Sequence, residues 1–481
     1  MTIIFDRGSF MAETVKTKST FLNKVRTITQ SSVFEKIRTF MNSDIYTITL
    51  FVLASLAVVF KLEVLGTMIF ANIIMFSVAI CKNYLPAFQA VMLVICFAIR
   101  CKNSFDDFVK IWWLAIPMVL FVVMHFVFYS AHLKKGACTW GIVATSVAVT
   151  LGGLGSISAK EYFSSNALFY VILLGFGMLI IYMFFSAELN FEKPEEIADK
   201  FTKTMMLVIF FLCVCIAEEY VDRIDEFLKN PGVLPFQWRN NASTMLMLAM
   251  PFPLYFSIKK FRFFAVGILA YVAIMFTGSR GGLLFGFIEL TICIVVMFVI
   301  NKKNRKKLLI VIVGCIILLL IISPFVLELL EYTLSRFVTV DENKIRLGMF
   351  RRGIEDFLSS PVFGKGIGYM GNSDIHKNAK FTLCWYHCSP IQIMGSFGIV
   401  GILAYGYLLF VRIRIYIKNI SFFNTVLLLS YVGLEMMSLV NPGIFSPFPY
   451  LFMATIYFVM MEHYGGKERK EHLQDLLRGK V

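Results

Sequence analysis

About fourteen apolar runs, each close to the length that crosses a bilayer, succeed one another between Ile45 and Met461. They occupy residues 45–60, 64–81, 85–99, 110–130, 138–155, 167–186, 203–217, 241–258, 263–277, 282–300, 308–328, 389–411, 421–440 and 447–462. In hydrocarbon every backbone polar group must be satisfied within its own segment, so runs of this kind fold as helices. The expected fold class is all-α, a polytopic integral membrane protein with about 14 transmembrane helices. A hydrophobic content of 58% and a mean hydropathy of +0.75 agree, and the 50 Phe are spread through the runs rather than gathered into one core.

Orientation follows from the Lys and Arg residues. They concentrate before Ile45, at Lys134–Lys135, Lys193–Lys203, Lys259–Arg262, Lys302–Lys307 and Arg412–Lys418, and after Glu462, which alternates correctly with the runs. The expected organisation is a cytoplasmic arm over 1–44, a membrane domain over 45–462 and a cytoplasmic tail over 463–481, with both termini inside. Residues 329–388 form the large outer loop. The first segment is polar and basic and the first apolar run is a full span, so a start-transfer helix is expected in place of a cleavable signal. The net charge of +15 sits mostly beside membrane ends, where anionic lipid headgroups are the natural partner, and this argues against nucleic acid.

Of the ten Cys, Cys81, Cys96, Cys213, Cys215, Cys293 and Cys315 fall inside predicted helices and read as small packing residues. Cys384 and Cys388 flank His387, a spacing open to a bridge or a metal pair, with two free thiols the favoured reading. Asp106–Asp107 and Glu218–Glu219 are sequence-adjacent pairs that read as solvated loop charges, so no metal site is expected. Glu435 lies within a span, where an acid could carry protons in a transporter; the favoured reading is structural, accepting hydrogen bonds from a neighbouring helix or pairing with an Arg.

The outer loop carries a helical pattern of its own. Ile345, Met349, Phe350, Ile354, Phe357 and Leu358 recur near helical spacing among Arg346, Arg351, Arg352, Glu355 and Asp356, which describes a helix lying on the membrane surface. Ser360–Pro361 end it, and Gly364, Gly366 and Gly368 allow close turns before the chain returns to the membrane, as a lid over a buried site would need. In the N-terminal arm, Val33, Ile37, Phe40 and Met41 suggest a similar surface helix that serves as a topological anchor.

Three outer-face residues point to chemistry. Arg280, in the tight turn Thr277–Gly282, sits at the bilayer boundary, where a guanidinium is costly unless it meets an anion and where its planar fork suits phosphate oxygens. Arg239 has the same depth and side; singly, each fits an Arg that snorkels to lipid phosphates, and together they suit a doubly charged headgroup. Ser279 beside Arg280, and Arg351 and Arg352 in the loop, are supporting candidates. His387 stands at the mouth of a span on the same face, with His376 in the loop itself, and imidazole is the side chain best tuned for proton transfer near neutral pH.

The Thr277–Gly282 turn, the Arg351 to Gly368 stretch with Pro361, and His387 followed by Gln392 and Gly398–Gly401 together resemble the O-antigen ligase and polymerase superfamily of bacterial surface-polysaccharide assembly. The Arg239 to Ser243 segment with Pro251 is a weaker fourth element, and where that family often has Asn after the His this chain has Cys388. The resemblance covers 220–410. It implies a GT-C-like, metal-independent, cofactor-free glycosyltransferase of the bacterial cytoplasmic membrane. Arg280 and Arg239 would hold the pyrophosphate of an undecaprenyl-pyrophosphate-linked oligosaccharide, and His387 would act as base on the hydroxyl of an acceptor glycan or glycolipid. A polymerase is the first expectation and an O-antigen ligase, with a lipid A-core or other anchor as acceptor, the alternative. A polyprenyl-glycan flippase is the alternative of another class; it should show internal symmetry and several midplane charges.

Overall fold

The computed structural model describes residues 31–81, 84–100, 105–128, 133–158, 165–188, 194–229, 232–234, 236–321, 327, 331, 340–367, 369, 385–445 and 449–477, and among these every regular element is helical. The chain divides into two compact units, Met1–Phe97 with Lys102–His132, and Ala98–Cys101 with Leu133–Val481.

The first unit contains α1 (Ser32–Met41), α2 (Asp44–Val59), α3 (Glu63–Ile80), most of α4 (Leu85–Arg100), α5 (Phe105–Val109) and α6 (Ile116–Phe128). Ser43 starts α2 by accepting a hydrogen bond from the Tyr46 amide, at a 64° bend from α1. The Arg38 Nε of α1 donates to the Ile80 carbonyl at 2.7 Å, so the arm helix read from the sequence is tied to the end of α3.

The second unit contains α7 (Thr139–Ser158), α8 (Ser165–Ile172), α9 (Met178–Glu188), α10 (Pro194–Asp222), α11 (Ile224–Lys229), α12 (Arg239–Ala249) and α13 (Pro253–Ser257). It continues with α14 (Phe264–Phe276), α15 (Arg280–Ile300), α16 (Arg305–Ile321), α17 (Val340–Ser359), α18 (Ser389–Lys418), α19 (Phe422–Ser438) and α20 (Pro449–Leu477). The described parts of the fourteen apolar runs fall largely on helices. Among the described residues five helical stretches are long and apolar enough to cross a membrane: Glu63–Ile80, Tyr170–Ala187, Glu196–Asp222, Arg280–Ile300 and Ser389–Lys418. The bent pair α1–α2 makes a sixth if it is one span. The remaining runs give shorter or broken helices, so length and composition establish a multi-pass membrane protein with five or six clear spans.

The breaks have local causes. Pro251 and Pro253 supply no N–H to continue α12, and the chain turns there before α13. Between α8 and α9 the wide turn Leu173–Gly177 departs from helical geometry at Gly175. Helix α18 is interrupted at Gly398, whose φ of 62° and ψ of −153° only glycine adopts without strain.

Outward faces are apolar: Ile310, Val313, Ile317, Leu320 and Ile321 of α16 are all more than half exposed, as lipid-facing side chains are. Helix contacts are made at small residues that let backbones approach, such as Gly66 against Ala57 and Gly141 against Leu408. Within the second unit α12, α14, α15 and α19 pack on one another, while α18 runs along α7 and carries α17.

Two buried charges lie deep in these helices. Arg412 of α18 donates to the Tyr431 hydroxyl at 3.0 Å and lies over the Tyr431 and Phe458 rings. Glu435, one turn along α19 from Tyr431, acts electrostatically on both groups. Glu289 of α15, 1% exposed and packed against Gly433 of α19, is a second intramembrane acid that the sequence reading passed over.

Candidate functional site

The turn between α14 and α15 works through Gly278, whose φ of 68° folds the chain back tightly. Ser279 then caps α15, its hydroxyl accepting from the Gly282 amide at 3.1 Å and donating to the Asn240 Oδ1 of α12 at 2.8 Å. One turn on, the Ser243 and Thr277 hydroxyls are 2.8 Å apart, and Gly282 leaves room for Ser243, where an added Cβ would stand 2.5 Å away. The first turns of α12 and α15 are therefore locked side by side, and Arg239 and Arg280 are the first residues of those two helices. Two helix N-termini, each bearing a half-buried arginine, form one electropositive corner suited to an anion.

A third guanidinium lies beside this corner. Arg100, 1% exposed, pairs with Glu218 of α10 at 2.5 Å, and its guanidinium sits 5.5 Å from the centre of the Trp238 ring, next to Arg239. The Trp238 indole donates to Glu219 Oε2 at 3.4 Å. The sequence reading of Glu218–Glu219 as solvated loop charges is thus corrected: α10 runs on to Asp222, and Glu218 is a buried partner of an arginine 118 residues away. Of the Asp106–Asp107 pair, Asp107 behaves as read, meeting Lys110 at the surface at 3.1 Å.

His387 has a φ of 55°, one of only two non-glycine residues at positive φ among the described residues, the other being Lys61. Such a conformation costs a residue with a Cβ roughly 1–3 kcal/mol and persists only where its surroundings impose it. Here they do so from both sides. Tyr386 precedes it, its amide donating to Gln392 Oε1 at 3.0 Å and its hydroxyl to Asp356 Oδ2 of α17 at 2.6 Å. Cys388 follows as the first cap of α18, its carbonyl accepting from the Gln392 amide at 2.8 Å. Gln392 itself is held by the Ser396 hydroxyl at 2.8 Å.

The loop returns to α18 by backbone pairing. The amides of Lys365 and Gly366 donate to the carbonyls of Gly395 and Ser396, and those of Ile399 and Val400 to Pro361 and Val362, at 2.8 to 3.2 Å. Residues 361–366 thereby fill the gap that the Gly398 break leaves in the helix ladder.

The segment after α19 connects the two parts. Val440 lies against Gly281, beside Arg280, and Phe445 stacks on Trp385, two residues before His387, at 6.4 Å. The Tyr450 hydroxyl donates to the Asn241 carbonyl of α12 at 2.8 Å. Val440 and Phe445, five residues apart on this segment, thus touch the Arg280 turn and the residues before His387 respectively.

The supporting candidates fare differently. Ser279 is buried and spends its hydroxyl on the cap and Asn240. Arg351 points outward, its side chain 83% exposed and paired with Glu355 at 2.9 Å, whereas Arg352 is half-buried on α17. On α17 Met349 is buried with Gly353 and Asp356 against α18, while Ile354 and Leu358 face outward with Leu347, as apolar side chains of a helix on a membrane surface would. Cys388 is a free thiol that burial pushes above its ordinary pKa. His376, Cys384 and Gly368 lie outside the described residues.

Asn240, Tyr386, Asp356 and Arg100 were missed in the sequence, since each acts through a partner far along the chain. Comparison with curated proteins gives no match. Residues 264–406, which take in the Arg280 turn, α17, His387 and the break in α18 but not Arg239, match the family model described as O-antigen ligase.

Proposed function

We propose that this protein is a membrane glycosyltransferase of bacterial surface-polysaccharide assembly. It transfers a glycan from an undecaprenyl-pyrophosphate carrier to an acceptor hydroxyl on the outer face of the cytoplasmic membrane, with both termini inside. The observation that supports this most is the locking together of the two arginine-bearing helix starts.

In this reading Arg239, Arg280 and the two helix N-termini neutralise the pyrophosphate, which makes it a good leaving group without requiring a metal ion. His387 removes the proton of the acceptor hydroxyl as its oxygen attacks the anomeric carbon. The bond from that carbon to the pyrophosphate oxygen breaks, and the electron pair leaves with the polyprenyl pyrophosphate. General-base help of this kind contributes about 10²–10⁴-fold. The acceptor separates a polymerase, the first reading, from a ligase, which the description of the matching family favours as the second.

The test is to express His387→Ala and Arg280→Ala, at matched membrane levels, in cells whose surface glycan depends on this gene, and to resolve that glycan by size. Loss of product with lipid-linked units accumulating on the outer leaflet is the expected result. A ladder collapsing to single repeats assigns the polymerase, and intact chains that stay on the carrier assign the ligase. An unchanged pattern in His387→Ala, or accumulation on the inner leaflet, overturns the proposal in favour of a flippase.

A further inference from the structure

The His387 backbone is held in a conformation it would not adopt unaided, and the holding groups come from a different helix. The Tyr386 ring is wedged between Gly353 of α17 and Gly395 of α18. A Cβ added at Gly395 would meet it at 2.8 Å, and one added at Gly353 would meet it at 3.2 Å. The same two glycines let the helices touch backbone to backbone, the Gly353 carbonyl lying 3.0 Å from the position of a Gly395 Cβ. At the end of the wedge the Tyr386 hydroxyl donates to Asp356, which is 6% exposed. At its root the Tyr386 amide is fixed by Gln392, so both ends of the residue before His387 are clamped.

A carboxylate buried on the inner face of an amphipathic helix is costly to desolvate, and here its Oδ2 accepts a hydrogen bond from the Tyr386 hydroxyl. For docking alone an apolar side chain would serve α17 better. What the Asp356 to Tyr386 bond adds is direction, because it sets the rotation of Tyr386 and hence where the next residue projects its imidazole.

We propose that Asp356 is a positioning residue: through Tyr386 it fixes the left-handed turn that aims His387, so that seating α17 on α18 and orienting the base are one event. This rests on the reading of His387 as the base. Misplacing a reacting group by about an ångström typically costs 10²-fold in rate, which sets the scale of the effect.

The test uses the full chain in nanodiscs, with lipid-linked glycan extracted from cells lacking the gene as donor and their surface glycan as acceptor. Asp356→Ala and Tyr386→Phe are each expected to lower kcat by about 10²-fold with the donor KM within a factor of about two. Asp356→Asn, whose carbonyl oxygen still accepts from Tyr386, restores most of the rate. The double variant Asp356→Ala/Tyr386→Phe falls no further than either single one, as expected of two groups that act as a unit. Unchanged kcat in the single variants while His387→Ala is inactive overturns this inference alone, and so does a raised KM at unchanged kcat. An active His387→Ala overturns the reading beneath it.

Discussion

Comparing His387→Gly with His387→Ala isolates the backbone strain, since both variants lack the imidazole and all its contacts. At a φ of 55° a residue with a Cβ is disfavoured by about 1–2 kcal/mol, and glycine is not. Glycine also gives the unfolded chain more freedom, which offsets roughly 0.4–1 kcal/mol of that gain. The difference leaves His387→Gly more stable than His387→Ala by about 0.5–1 kcal/mol, a factor of roughly 2–5 in the unfolding equilibrium constant. Wild type falls between or near the glycine variant, because His tolerates the left-handed region better than Ala. The assay is paired denaturation of the purified variants in one detergent or nanodisc preparation, followed by tryptophan fluorescence, with transfer measured on the same samples. Stability should rank glycine above alanine while neither variant transfers glycan. Should alanine prove as stable as glycine or more so, the left-handed conformation carries no strain and the argument that its neighbours impose it fails.

Two further outcomes follow from the helix starts. Gly282→Ala should destabilise the protein by about 1–3 kcal/mol and weaken transfer, because its Cβ would collide with Ser243 and part α12 from α15, whereas Gly314→Ala, which meets nothing within 4 Å, should be neutral or slightly stabilising; thermal unfolding of the pair reads the contrast. Glu218→Gln should cost about 3–5 kcal/mol by leaving the Arg100 charge buried opposite a neutral amide, and Arg100→Met/Glu218→Leu should recover much of that loss, as measured by denaturant titration of each variant.

What could be read in the sequence is what repeats along it or is set by neighbours. The apolar runs are largely helical where described, and the turn at Thr277–Gly282 was legible because Gly278 and the Ser279 cap act within a few residues. Arg239 and Arg280 were placed on one side by alternation of the spans alone, and the structure adds how closely their helix starts are joined, through Asn240 and Ser243. Partners separated by long stretches were invisible: nothing near Glu218 announces Arg100, and nothing near Asp356 announces Tyr386. On α17 the helix was legible from its apolar spacing but its seating was not: a glycine and a hydrogen-bonded acid face α18, while Ile354 and Leu358 stay on the outer side.

The break in α18 explains why the loop is built as it is. A helix interrupted at membrane depth exposes amides and carbonyls that cost several kcal/mol apiece when left in hydrocarbon, and such breaks survive only where protein covers them. Residues 361–366 cover this one, with two amides donated into it and two carbonyls accepting from it. Lifting that stretch away would uncover all four pairs together, so this part of the loop is a fixed strap and not a moving lid. The strap begins two residues after the end of α17, whose inner face seats Tyr386, and it ends on the half-helix that begins directly after His387 and Cys388. The break, the strap and the strained histidine therefore form one closed circuit. A change at Gly398, remote from any proton transfer, would reach His387 through the backbone before it altered any side chain in the arginine corner.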